Sequence, residues 1–384
     1  MYRIRKLLLA AFTLPILILG WVFASTGVEA KTPDSDFWID FIDVGQGDAA
    51  LIQCDGHYMM IDGGPSSASS LVYTILMDEQ IKNLDVMIAT HPDEDHIGGL
   101  SGALNYATVE TVYSPVTEHD TKTFKSLLKY IGKQGVTLTV PDDATVFKLG
   151  SAEVEILGPV TEGADTNNNS IVTRITYGSN SFLFMGDAEF AEEYSLIKAR
   201  KDVSCDVIKI GHHGSKTSST YALINTAKPA YAVISAGKNN EYGHPTEEVL
   251  KKLSIRNIEI YRTDQQGDVF CMSDGENISF ETEKRSKKDL KKIPDMEDAS
   301  GENSDSNGNN SDSKSGVGAD LGIESTPRTV PDGTTYVLNI SSKKFHIPTC
   351  DSVSDMAEKN KAFSDRSADE IIALGYKPCQ RCKP

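Results

Sequence analysis

Between residues 36 and 283 short apolar runs alternate with longer amphipathic stretches. The runs at 37–42, 49–52, 58–61, 84–89, 154–157, 170–175, 182–185, 207–210 and 231–234 are bounded by turn residues, and their length and composition predict strands. The segments 71–80, 123–135, 189–200 and 246–253 read as helices. Many strands with helices on the outside imply an α/β architecture of two sheets packed between helical layers.

The texture changes at Lys284. A basic run, Lys284-Arg285-Ser286-Lys287-Lys288, gives way to Ser, Asn, Asp and Gly. Such sequence buries too little apolar area to fold, so 284–333 reads as a disordered linker. Order returns in a small module at 334–384. At the other end Arg3, Arg5 and Lys6 precede an apolar stretch at 7–24, and Val28-Glu29-Ala30 fits a small-residue cleavage site. Residues 1–30 are therefore expected to be a signal peptide or a retained membrane anchor. In both cases the body of the chain lies outside the cytoplasm, secreted or extracellular, with transient membrane association through the N-terminus.

The length of 384 residues accommodates about two or three domains. A formal net charge of −17 argues against a broad basic surface for gripping nucleic acid. It leaves a phosphate substrate open, because bound cations reverse the field locally. Cys54, Cys205 and Cys271 are scattered and read as buried thiols, although export leaves a pairing open.

The candidate chemistry lies at strand ends. His91-Pro92-Asp93-Glu94-Asp95-His96 follows the apolar run at 84–89 and crowds imidazoles and carboxylates together. Such groups repel or stay solvated unless a cation sits among them. Asp62-Gly63-Gly64, Gly186-Asp187-Ala188-Glu189, Gly211-His212-His213-Gly214-Ser215 and Tyr242-Gly243-His244-Pro245 also follow apolar runs. Singly, Asp62 or Asp187 could be a turn residue and His244 a loop histidine. Jointly, five strand ends presenting His or Asp along one rim point to a metal centre.

The order of these motifs resembles the metallo-β-lactamase superfamily. It is most similar to the branch formed by the hydrolase domain of the competence (DNA-uptake) protein ComEC and its free-standing relatives. The resemblance covers 36–283 and also rests on Phe41-Ile42-Asp43-Val44-Gly45-Gln46-Gly47-Asp48, Asn167-Asn168-Asn169-Ser170 and Thr263-Asp264-Gln265-Gln266-Gly267. It implies a four-layer αββα sandwich and a hydrolase holding one or two divalent cations, zinc or manganese. By resemblance His91, Asp93 and Asp187 would hold one cation. Asp95, His96 and Asp187 would hold the other, with His212 or His213. Asp93 stands where the superfamily usually has a second histidine, which hardens that site and makes manganese as apt as zinc. The separate third-motif histidine is missing, and Asn169 falls at about that point.

Two cations about 3.5–4 Å apart lower the pKa of a shared water towards neutrality. Asp95, Asn169, Ser215 and His244 are the candidate catalytic residues. Ser215 would belong to an anion pocket if a helix begins there, or to a plain helix cap. His244 could protonate a leaving oxygen.

In the C-terminal module His346 and Cys350 form a His-x3-Cys, and Cys379 and Cys382 a Cys-x2-Cys, separated by a helical stretch at 367–374. Four soft ligands at that spacing suit one closed structural zinc site. A disulfide with one cysteine left over is the alternative. The segment resembles the N-terminal zinc-binding domain of the Ada DNA-repair protein, with His346 in place of its methyl-accepting cysteine. The resemblance implies a small α+β zinc fold, DNA-binding or structural, without methyl transfer.

The reading that results is an exported metal-dependent phosphodiesterase, a nuclease acting on extracellular DNA. Its alternatives are a hydrolase of another phosphodiester or ester, such as a cell-wall or phosphocholine compound, and a non-catalytic DNA-capture protein. No protein partner is implied.

Overall fold

The computed structural model describes residues 36–284 apart from 143 and 162–164. Within the C-terminal module it describes 336–339, 341–347, 350–354, 356, 361–364, 371–372, 376–379 and 381–382. The expected leader at 1–30, the linker beyond Lys284 and most of the helix expected at 367–374 lie outside the described residues.

Alternating apolar positions build the first sheet. Its strands are β1 (Phe37–Phe41), β2 (Ala49–Cys54), β3 (His57–Gly63), β4 (Asn83–Ile88), β5 (Thr108–Tyr113), β6 (Leu138–Thr139) and, from late in the chain, β14 (Asp268–Ser273) and β15 (Ile278–Glu283). Their order is β15-β14-β1-β2-β3-β4-β5-β6. The second sheet contains β7 (Val146–Leu149), β8 (Ala152–Gly158), β9 (Val172–Tyr177), β10 (Asn180–Phe184), β11 (Val207–Lys209), β12 (Tyr231–Ile234) and β13 (Glu259–Arg262). Its order is β13-β12-β11-β10-β9-β8-β7.

Side-chain alternation decides what each face meets. Phe37, Ile39 and Phe41 point inward and share a core with Phe182, Phe184 and Val207 of the second sheet. Phe37 stacks on Phe182 at 4.9 Å and Phe41 on Phe184 at 5.6 Å. Trp38, Leu51 and Met60 point the other way. They pack with Val72 and Leu76 of α1 (Ser69–Asp78), Leu100 of α3 (Leu100–Tyr106) and Phe124 of α4 (Lys122–Lys133). On the far side, Leu183 and Ile208 pack against Leu196 of α5 (Phe190–Lys198), Leu223 of α6 (Tyr221–Ala227) and Val249 of α7 (Glu247–Ile255). The layers run helix, sheet, sheet, helix, the sandwich expected from sequence. Truncating one inward phenylalanine such as Phe41 to alanine costs about 3–5 kcal/mol.

Four described segments form the small sheet of the C-terminal module: β16 (Tyr336–Asn339), β17 (Lys344–His346), β18 (Lys361–Ser364) and β19 (Lys377–Pro378), ordered β18-β16-β17-β19. Tyr336, Leu338, Phe345, Ile371 and Tyr376 are its core. Among the described residues no helix is long and apolar enough to cross a membrane.

Candidate metal centre

β3 and β4 are parallel, as are β10, β11 and β12, so their C-terminal ends open on one edge of each sheet. Parallel α/β sheets bind ligands beyond such ends. β4 runs out into Thr90 and His91, and the single turn α2 (Glu94–Ile97) follows with Asp95 and His96. β10 delivers Asp187, and β11 delivers His212 and His213.

Four imidazoles converge on Asp187 through Nε2. His96 Nε2 lies 3.2 Å from Asp187 Oδ1. The Nε2 atoms of His213, His212 and His91 lie 3.6, 3.8 and 3.9 Å from Asp187 Oδ2. Asp95 Oδ2 is 3.2 Å from His213 Nε2, and Asp93 Oδ2 is 3.7 Å from His91 Nε2. The Nε2 atoms of His91, His96 and His213 are buried without a hydrogen-bond partner. Leaving one such polar atom unpaired costs about 1–3 kcal/mol, so three in one pocket require a common explanation. Ligand atoms around an ion with bonds of about 2.0–2.1 Å sit roughly 3.3 Å apart in tetrahedral geometry. The observed spacings and the nitrogen–oxygen donor set fit a divalent cation.

The other ring nitrogen fixes each tautomer. His96 Nδ1 meets Asp62 Oδ2 at 2.8 Å, His212 Nδ1 meets Glu189 Oε1 at 3.0 Å, and His213 Nδ1 meets Asp48 Oδ1 at 3.0 Å. A carboxylate accepting Nδ1–H leaves the Nε2 lone pair free for a cation. His91 Nδ1 lies 3.1 Å from Thr90 Oγ1. These carboxylates are themselves held. Thr90 donates its N–H and hydroxyl to Asp62 at 2.8 and 2.6 Å, and the buried Lys209 donates to Asp48 at 2.6 Å.

Backbone geometry makes this possible at two places. His212 and His213 both adopt the left-handed region, with φ of 48° and 52°. This costs about 1–2 kcal/mol per non-glycine residue and brings two consecutive rings to one pocket. Gly47 has φ +138°, and a Cβ there would stand 2.2 Å from the Asp95 carbonyl oxygen. That close approach lets Asp48 N–H donate to the same carbonyl and sets Asp48 behind His213.

Electrostatics divides the histidines. Burial, with His96 beside it, pushes His91 down to about 3. Burial also opposes charge on His96, but Asp187 and Asp62 outweigh it and hold His96 well above its ordinary value. For His213, Asp187 and Asp48 overcome burial and raise it to about 10. Burial works against an ionised Asp187, yet His96 and His213 keep it well below the carboxylate range. Without a cation the pocket therefore holds protons on His96 and His213, which a metal must displace.

The sequence profile of the metallo-β-lactamase superfamily matches residues 42–238. The chain belongs to the metallo-β-lactamase superfamily. With the buried His/Asp cluster in that fold, it is a metal-dependent hydrolase. The chain is similar to ComE operon protein 3 of Bacillus subtilis, 31% identical over 250 residues, covering 60% of this chain and 32% of the relative. It is 29% identical over 248 residues to competence protein ComA of Neisseria gonorrhoeae, covering 64% and 33%. It is thus homologous to competence-associated proteins but spans about a third of the length of these relatives. Among solved structures, the metallo-β-lactamase fold protein YhfI of Bacillus subtilis superposes with a TM-score of 0.41 at 13% identity, covering 64% of this chain and 100% of that one.

Within this superfamily fold, His91, Asp93, Asp95, His96, Asp187, His212 and His213 are all brought to one pocket. Asp48 belongs to the same group: its carboxylate lies within 4.8 Å of His96, Asp187 and His213 ligand atoms. It was not among the ligands expected from sequence, where an aspartate after Gly47 reads as a turn residue. Ser215 is different. The helix begins at Tyr221, capped by Thr220, whose side chain accepts from Leu223 N–H, so no helix opens at Ser215. The Ser215 hydroxyl meets Thr217 at 2.9 Å, and Glu193 accepts the N–H groups of Ser219 and Thr220. The expected anion pocket at Ser215 is thereby replaced by a hydroxyl chain to Glu189, to which Thr217 donates at 2.7 Å. Among the described residues no side-chain hydrogen bond joins Asn169 to the cluster. Its neighbours serve instead: Asn168 accepts from the N–H groups of Glu189 and Glu192, and Ser170 Oγ from Asp187 N–H at 3.1 Å. His244 sits against His212, ring centroids 5.5 Å apart, and burial together with His212 pushes it down to about 4.

The C-terminal module carries a second cluster. Ligand atoms of His346, Cys350, Cys379 and Cys382 lie within 4.8 Å of one another. The three cysteines are free thiols rather than a disulfide, and Cys350 Sγ and Cys379 Sγ are 4.0 Å apart. Zn–S bonds of about 2.3 Å place tetrahedral sulfurs roughly 3.8 Å apart. His346 Nδ1 is buried without a partner, and Arg381 N–H donates to Cys379 Sγ. Both observations suit a divalent cation held between the two motifs.

Proposed function

We propose that this hydrolase is an exported phosphodiesterase that cleaves DNA outside the cell. The observation that carries the reading is the convergence of four Nε2 atoms on Asp187, three of them buried and unpartnered. His91, Asp93, His212 and Asp187 would hold one cation, and Asp95, His96, His213 and Asp187 the other. His212 then supplies the imidazole that the missing third-motif histidine would have given. Zinc or manganese at these positions supplies Lewis acidity and lowers the pKa of water.

The chain's own groups do the rest. Asp62, Asp48 and Glu189 hold three imidazoles in the tautomer that presents Nε2. Asp187, kept ionised by its histidines, is shared by both sites. His244, neutral at physiological pH, offers the leaving oxygen a hydrogen bond at the mouth of the pocket. The names of the competence relatives favour DNA over other phosphodiesters and support kinship with the hydrolase domain of ComEC. The basic and apolar N-terminus supports export, with cleavage or retention of the leader. The C-terminal cluster supports a structural zinc in an Ada-like module that binds DNA and raises its concentration near the centre. The domain limits 36–283, 284–333 and 334–384 belong to the same proposal.

The test is direct. Purified full-length chain with manganese or zinc cuts linear DNA, chelator stops it, and His96→Ala and Asp187→Ala are inactive. Cleavage of a generic phosphodiester with no DNA cleavage favours the alternative substrate. Binding of DNA without turnover under any metal favours capture.

A further inference from the structure

The loop after β12, residues 235–245, ends at His244 and carries Tyr242, a large side chain left 71% exposed. A single exposed aromatic ring is ordinary on a protein surface; what sets this one apart is its place in a series of rings. Tyr242 stacks on His244 with centroids 5.8 Å apart and planes 25° from parallel. His244 in turn meets His212 edge to face at 5.5 Å and 78°. His212 Nε2 faces Asp187. A run of rings therefore leads from the metal pocket to solvent and ends in a flat, open face.

The loop that presents this face is braced. Asn240 donates to the carbonyls of Gly237 and His244 and accepts His244 N–H at 3.0 Å. Gly237 N–H donates to Gln46 Oε1 at 3.1 Å, and a Cβ at Gly237 would lie 2.7 Å from Gln46 N. The backbone on either side of Tyr242 is thus held relative to the pocket, and the inner face of its ring is already occupied by His244.

We propose that Tyr242 is a stacking platform for an unpaired nucleobase next to the phosphodiester being cut. The inference rests on the phosphodiesterase reading and names its substrate as single-stranded nucleic acid. A base inside a duplex is stacked on both faces and cannot use such a platform. Stacking on an aromatic side chain is tolerant of sequence and does not depend on positive charge. That matters here, because a chain of net charge −17 draws little help from phosphate attraction.

The test uses the full-length chain in chelator, with a single-stranded oligodeoxynucleotide carrying 5-iodouracil, which crosslinks to a stacked aromatic ring on long-wavelength irradiation. Mass mapping should place a crosslink on Tyr242. Tyr242→Phe should retain it, and Tyr242→Ala should lose it. With manganese, Tyr242→Ala should raise KM for a single-stranded oligonucleotide roughly 5- to 150-fold, with the same loss at low and high salt, while Tyr242→Phe stays near wild type. On an abasic oligonucleotide of equal length, wild type and Tyr242→Ala should show the same, weakened KM. Crosslinks confined to the C-terminal module, or to apolar residues elsewhere on the domain, overturn the proposal, as does an unchanged KM in Tyr242→Ala. Absence of all cleavage by wild type with a crosslink still on Tyr242 sinks the phosphodiesterase reading and leaves the base platform standing.

Discussion

Replacing Asp62 by asparagine separates fold from metal binding. Asp62 is buried, has φ +56°, and accepts Thr90 N–H, Thr90 Oγ1–H and His96 Nδ1–H at 2.8, 2.6 and 2.8 Å. Asparagine tolerates that backbone region. Its single carbonyl oxygen can keep Thr90 N–H, but its amide then faces His96 Nδ1. The ring can accept that hydrogen bond only by moving its own proton to Nε2, which points at Asp187 and the cation. Outer-shell changes at metal-bound histidines typically cost about 10- to 100-fold in affinity, roughly 1.4–2.8 kcal/mol. Asp62→Ala is the contrasting variant. It leaves two Thr90 donors unsatisfied and puts alanine at positive φ, which together destabilise the chain by about 3–8 kcal/mol. It does not force the wrong tautomer. The account predicts that Asp62→Asn melts close to wild type yet binds manganese or zinc more weakly than Asp62→Ala does. Competition against a chelating indicator gives the affinities, and thermal melts of the metal-free chains give the stabilities. Wild-type affinity in Asp62→Asn refutes the tautomer argument.

Three further outcomes follow from the same geometry. His212→Ala should lower metal content by one ion and leave the site of Asp95, His96 and His213 filled; full retention of metal contradicts the assignment of His212. In the metal-free pocket His96 sits well above its ordinary value and His213 at about 10, so both are protonated at neutral pH. Cations must displace those protons, so affinity should rise with pH through neutrality and level off above the His213 value of about 10, with the steepest slope where both rings are protonated. Calorimetry in buffers of different ionisation heat reads the released protons, and a flat profile contradicts the charge assignment. Cys382→Ser should release zinc from the C-terminal module and expose its Tyr336 and Phe345 core to protease while cation binding at Asp187 persists; a protease-resistant, zinc-free module goes against a stabilising metal.

Much of the fold was legible because its central strands are buried on both faces. Runs such as 37–42 and 182–185 are then apolar almost throughout. Edge strands were not. β13 and β15 carry Glu259, Glu281 and Glu283 towards solvent and β13 also holds the charged Arg262, so their apolar content falls below what marks a strand. α2 and α3 are short, and Gly98, Gly99 and Gly102 sit against backbone where a Cβ would clash, so packing rather than helix propensity fixes them. The cluster could be read because imidazoles and carboxylates fall jointly at several strand ends, and His91, Asp93, Asp95, His96, Asp187, His212 and His213 do converge. Asp48 could not, since an aspartate after Gly47 looks like a turn until its partner His213 is seen. Whether His212 or His213 faces the pocket depends on two left-handed residues in succession, a conformation that no local preference announces. Ser215 misled because a run of Ser and Thr offers several caps, and tertiary contacts selected Thr220.

The central claim is that Asp187 and the histidines around it hold divalent cations. Elemental analysis of the full-length chain, beside Asp187→Ala and after equal exposure to manganese and zinc, tests it most directly. The account predicts two ions per chain in addition to the one bound by His346 and the C-terminal cysteines, and loss of those two in the variant. Equal metal content in the two proteins would contradict it.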